Sequence, residues 1–268
     1  MGIQGTRTDL RVRPRIWIGV AIWVGYMIVV FTVQRLGGVP YTDLGRNGHD
    51  LFFGAGLSLI VATVLLAVTT TALGWWRPAL FDEQRSRHRW PIVVPIALVL
   101  LAVLGLAITD WAAFDGPFLG ASIALLLVGF TEEITTRGLL LTALRSRLAE
   151  PMVWFLSTAA FAAMHLLNFF GGQPLAPTLG QVVNTFLVGT AFYVLRRTTG
   201  TLIWAMVLHA VWDFSAFAAQ HGTVSPLTSV IGILEWVVGL AALAVVWLTF
   251  RSERGADAPR LPDGVRTV

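Results

Sequence analysis

Cysteine is absent from the chain, and so is lysine. Without cysteine there is no disulfide, no thiolate zinc site and no cysteine nucleophile. Without lysine, arginine fills all nineteen basic positions. Charge of either sign is scarce at 13% of residues, against about 25% in an ordinary soluble domain. The zincin pattern H-E-x-x-H is missing, as is the G-x-S-x-G elbow of serine hydrolases. No internal repeat, low-complexity tract or soluble second domain interrupts the sequence. What fills the chain instead is apolar: 56% of its 268 residues are hydrophobic, and its mean hydropathy is +0.73. That balance places it in the membrane class before any motif is read. The sequence pI near 10.6 reads as arginine anchoring loops to an anionic leaflet rather than as a nucleic-acid surface, because the arginines lie between apolar runs.

A helix needs roughly 20 apolar residues to cross the hydrocarbon layer. Eight such runs are expected, at about 16–34, 51–75, 91–109, 117–144, 151–170, 178–195, 200–219 and 230–250. The fold class is therefore all-α, a polytopic membrane helix bundle. Arginines alternate along it. Arg7, Arg11, Arg13 and Arg15 precede the first run, and Arg77, Arg85, Arg87 and Arg89 follow the second. Arg145 and Arg147 follow the fourth, Arg196 and Arg197 the sixth, and Arg251, Arg254, Arg260 and Arg266 the last. The third, fifth and seventh loops have none, and the first has only Arg35 and Arg46. Under the positive-inside rule this alternation puts both termini in the cytoplasm. The organisation read from it is a cytoplasmic tail at 1–15, membrane helices one to three at 16–116, a core of helices four to seven at 117–220, a final membrane helix at 221–250, and a disordered cytoplasmic tail at 251–268. His49, His88 and His221 read as solvated loop residues, and Asp110, Asp115 and Glu235 as interfacial.

Charged groups inside a bilayer are expensive and normally face the protein interior. The fourth run carries Thr131-Glu132-Glu133-Ile134-Thr135-Thr136-Arg137. Glu133 and Arg137 are four apart and can pair on one helix face. Glu132 is turned about 100° from Glu133 and has no local cation, which marks it as a candidate general base. His165 lies in the fifth run, and His209 and Asp213, again four apart, lie in the seventh. Glu132, His209 and His165 are 13, 12 and 15 residues from Arg145, Arg197 and Glu150. At about 1.5 Å per residue, all three sit at roughly 20 Å depth. Three helices bringing polar groups to one level predict one shared site. Taken singly, the bland readings are an interhelical hydrogen bond for His165, a structural pair for Glu133–Arg137, and an orienting role for Asp213 on His209.

Those residues resemble a known family. Glu132-Glu133-x-x-x-Arg137, Phe161-x-x-x-His165 and His209-x-x-x-Asp213 are similar, in order and rough spacing, to the E-E-x-x-x-R, F-x-x-x-H and H-x-x-x-(Asn/Asp) motifs of the CPBP intramembrane endopeptidases. That family covers CAAX prenyl protease 2 (Rce1-like) and bacteriocin-processing Abi proteins. The resemblance spans about 117–220 and implies an eight-helix bundle with a conical cavity opening to the cytosol. It also implies hydrolysis of a peptide bond in a membrane-associated protein or peptide, by a multi-pass enzyme of a bacterial cell membrane. Carried over, Glu132 and His165 activate water, and Arg137 holds Glu133 to shape the site. His209 and Asp213 stabilise the oxyanion or, with Glu132 and His165, ligate a divalent metal such as zinc if one is bound. An ionised Asp213 cannot donate a hydrogen bond as the family's usual Asn can. The same cluster would also suit a non-catalytic binding or immunity protein of the same fold, or a proton-coupled transporter. The expected partners are the lipid bilayer and a membrane-associated peptide or protein, with no nucleic acid.

Overall fold

A computed structural model describes residues 10–256. Arg7, Arg260, Arg266 and the 257–268 part of the expected disordered tail lie outside the described residues. Eight long helices follow the eight predicted runs: α1 Ile16–Gly37, α2 Gly48–Leu73, α3 Trp90–Ala107, α4 Gly116–Leu144, α5 Glu150–Phe170, α6 Leu175–Thr199, α7 Ile203–Ala218 and α8 Leu227–Ala256. Among the described residues seven of them are long and apolar enough to span a membrane. The exception is α7, at 16 residues. The last helix runs on past Phe250 to Ala256, so residues 251–256 are helical rather than part of a disordered tail.

Lipid explains how these helices divide their faces. In α3, Val93, Ile96, Leu100 and Val103 are exposed, at helical spacing, while Val94, Leu98, Leu101, Ala102 and Gly105 are buried. A water-facing stripe of that kind would be a liability, but hydrocarbon accepts it. The inner faces form a main core joining α1 to α8, with a smaller cluster at Leu51, Phe118 and Ala121. α7 packs on α3 and α4, α6 on α5 and α8, and α1 on α2 and α4.

The connections gather at two ends. At one end, Trp75 Nε1 donates to the Val12 carbonyl, Phe81 bridges to Thr201, and Arg197 pairs with Glu253 at 3.0 Å. At the other, the Tyr41 amide bonds the Gly171 carbonyl, and Asp110 accepts from the Thr223 amide at 3.0 Å. The first end holds the start of α1 and the end of α8. The second holds the odd-numbered loops.

Arg145, Arg196 and Arg197 are not free loop cations. Arg196 and Arg197 belong to α6 and are buried. Arg196 pairs with Asp82, and Arg145 bridges Asp82 and Glu150. Burial alone would raise the Asp82 carboxyl, but Arg196 and Arg145 outweigh it and hold Asp82 below its ordinary range.

Candidate active site

Two local features of α4 place its carboxylates. The first is a close approach. A Cβ on Gly129 would run into the Met206 carbonyl and the Ala210 side chain of α7, so glycine there lets the two helices touch one turn before Glu132 and Glu133. The second is a π-helical stretch, Ile134–Leu140, directly after Glu133. The Leu141 amide, which in an α-helix would take the Arg137 carbonyl, reaches Thr136 and Gly138 instead. Thr135 and Thr136 also bond back to the carbonyls of Thr131 and Glu132, a pattern that bends helices. Widened turns of this sort are frequent at functional sites.

Glu133 and Arg137 are fully buried and paired. Arg137 donates a second bond, Nη2 to the Gly189 carbonyl at 2.9 Å, and its guanidinium lies 4.2 Å from the Phe161 ring centre. Gly189 leaves the space: a Cβ there would stand 2.6 Å from Arg137 Nη2 and 2.8 Å from Phe161 Cδ1.

His209 joins the pair from α7. Its Nδ1 is 3.1 Å from Glu133 Oε1. That oxygen also accepts from Arg137, so the histidine nitrogen is the donor. Nε2 faces Asp213 Oδ2 at 3.5 Å and Glu132 Oε2 at 4.0 Å. The ring is stacked on Phe192 with centres 4.9 Å apart, which fixes its plane. Asp213 is 42% exposed to the space beyond.

His165 sits where α5 breaks: the regular helix ends at Met164 and a short turn resumes at Leu167. Its Nδ1 donates to the Phe161 carbonyl at 3.3 Å. With Nδ1 so used, Nε2 is the nitrogen left to meet a ligand.

Glu132, His165, His209 and Asp213 all line one cavity of about 390 Å³. Glu133 and Arg137 stand behind its wall. Glu132 Oε2 is buried and accepts no hydrogen bond from the described residues. Glu132, His165, His209 and Asp213 thus share the cavity wall, with Glu133 and Arg137 packed behind them. As placed, no group of three or more His, Asp and Glu among the described residues forms a metal-holding set.

Sequence reasoning missed Glu235. Read as interfacial, it instead lines the cavity and accepts from Asn184 Nδ2 at 2.6 Å. The Asn184 and Gln181 amides four and seven residues before Val188 were the available signal: polar side chains on an otherwise apolar span. It missed Arg196 as well. That side chain bonds Asp82, the Ala79 and Pro78 carbonyls, and the Arg137 carbonyl.

No curated protein matches the chain. Residues 114–215, which contain every side chain from Glu132 to Asp213, match the family of type II CAAX prenyl endopeptidases, Rce1-like. That match covers 102 of the chain's 268 residues, and it supports a CAAX-type intramembrane protease at the level of the family.

Proposed function

We propose that this chain hydrolyses a peptide bond of a membrane-associated polypeptide, using water activated by Glu132 and His165, within a cell membrane. The observation that carries the reading is the unpartnered Glu132 Oε2 on the wall of a cavity that also holds His165. A water bonded to both would be about 3 Å from each. Glu132 takes the water proton as oxygen attacks the scissile carbonyl, and delivers it to the leaving amine as the C–N bond breaks. His165 Nε2 accepts the second water hydrogen and fixes the lone pair's direction. His209, when its Nε2 carries hydrogen, is the donor aimed at the developing oxyanion, and Asp213 orients it. A donor so placed lowers the barrier by about 3–4 kcal/mol. Glu133 and Arg137 touch neither water nor substrate in this scheme. They hold His209 in place.

The test is peptide cleavage by purified protein in detergent or bilayer discs. Glu132→Gln keeps the side chain's shape and removes the base, so cleavage should fall by about 10²–10⁴-fold with an unchanged melting curve. His165→Ala should behave in the same way. Full activity in both variants would overturn the assignment of Glu132 and His165, whereas no cleavage above background by the wild type would leave a binding protein of the same fold as the better reading.

A further inference from the structure

The cavity has a direction. Its inner end is formed by Phe192, His209 and Glu132, and its outer end by Tyr41, Leu44 and Gln220. Tyr41 and Leu44 belong to the first loop, and Gln220 is the exposed residue that follows α7. The mouth thus lies at the end of the odd-numbered loops, where Tyr41 meets Gly171 and Gln181.

Arginine collects at the opposite end. Arg11, Arg13 and Arg15 stand before α1, Arg85, Arg87 and Arg89 between α2 and α3, and Arg147 between α4 and α5. The mouth end has Arg35 and Arg46, the latter tied to Asp43 at 2.9 Å. Cytoplasmic loops are the arginine-rich ones. The resemblance implies a cavity open to the cytosol, yet here the charge bias and the cavity mouth point to opposite faces of the membrane. The bias involves many residues on separate loops, and it decides which end stays inside.

We propose that the cavity opens on the extracytoplasmic face and takes a polypeptide segment presented from that side. The wall between mouth and site suits an uncharged main chain. Asn168, Gln181 and Asn184 supply carboxamides, the last bonded to Glu235, and no arginine among the described residues lines the cavity. The substrate half of this inference rests on the peptidase reading above. The orientation half does not.

The absence of cysteine makes the test direct, because any introduced thiol is unique. Single-cysteine variants Arg46→Cys and Gln220→Cys mark the mouth end, and Glu83→Cys, at an exposed position, marks the other. Intact bacterial cells expressing each full-length variant are treated with a membrane-impermeant maleimide, then permeabilised and treated again. Arg46→Cys and Gln220→Cys should be labelled in intact cells, and Glu83→Cys only after permeabilisation. The reverse pattern, or equal labelling of both ends in intact cells, overturns the proposal. Two mouth positions guard against the loss of one variant to misfolding. Peptide cleavage by the same membranes, compared with Glu132→Gln, is read separately. Lost specific cleavage with the expected labelling would strike the peptidase reading alone, and reversed labelling with cleavage retained would strike the orientation alone.

Discussion

Arg196 donates through Nη1 to the main-chain carbonyl of Arg137, although 59 residues separate them. That bond joins the buried ion cluster at the arginine-rich end to the π turn behind Glu133. The same guanidinium holds Asp82 through Nε at 3.0 Å and the Ala79 carbonyl at 2.7 Å. One side chain thus fixes the turn against the segment that follows α2. Arg196→Ala should lose about 3–5 kcal/mol of stability, because Asp82 keeps its charge and loses a buried partner. Replacing both partners, as Asp82→Asn with Arg196→Met, should recover much of that loss. Turnover should stay low in the double variant, since the Arg137 carbonyl still lacks its donor. Recovery of kcat together with the melting temperature would show that Arg196 only stabilises and does not position the turn.

Asp82 gives the cluster a pH dependence with a definite sign. Burial pushes its carboxyl up, and Arg196 and Arg145 pull it down further, so in the folded chain it lies below its ordinary value. A carboxyl lowered on folding contributes stability that is present above its unfolded value and lost as pH falls through the folded one. The melting-temperature gap between wild type and Asp82→Asn should therefore hold steady from about pH 8 to about pH 5 and narrow below about pH 4. A gap that widens on acidification would contradict the pairing.

Gly189 is the space that Arg137 occupies. An alanine Cβ at that position meets the guanidinium at 2.6 Å and the Phe161 ring at 2.8 Å, and neither buried group has anywhere to go. Gly189→Ala should cost about 1–3 kcal/mol through overpacking and lower cleavage further by shifting Arg137 away from Glu133. Gly180, on the same helix, faces open space. Gly180→Ala should leave cleavage intact and match or exceed wild-type stability. Equal behaviour of the two variants in a detergent melt would remove the steric argument.

The long elements were readable because a bilayer demands long apolar runs, and eight of them stand out in the sequence. The shared depth of Glu132, His165 and His209 was readable for the same reason: helical rise converts sequence distance into depth when the spans are straight. The π turn at Ile134–Leu140 was not readable, since an i→i−5 bond leaves no periodic mark in seven residues. Nor was the fate of Arg196. An arginine at a span's end looks like a loop arginine, and its partner Asp82 is 114 positions away. Glu235 was misread on the same ground, because its partner Asn184 lies 51 positions back. Sequence depth identifies which side chains share a layer. It does not say which of them face the same cavity.

The cavity's own charge sets a last expectation about substrates. Glu132, Asp213 and Glu235 contribute three carboxyl groups to the lining, and no arginine among the described residues contributes to it. A substrate whose free C-terminal carboxylate enters with the scissile bond would bring a fourth acidic group into a low-dielectric space where His209 already faces Glu132, Glu133 and Asp213. Burying an unpaired charge is strongly unfavourable, and each 1.4 kcal/mol, approximately, is a factor of ten in binding. A peptide cleaved near its C-terminus should therefore be processed at least about tenfold faster as the C-terminal amide than as the free acid, with the difference appearing in KM. Moving the scissile bond far from the terminus should abolish the contrast, because the carboxylate then stays outside the mouth. Faster cleavage of the free acid would mean that a cation, Arg35 or Arg46 from the first-loop end, folds over the entrance when substrate binds.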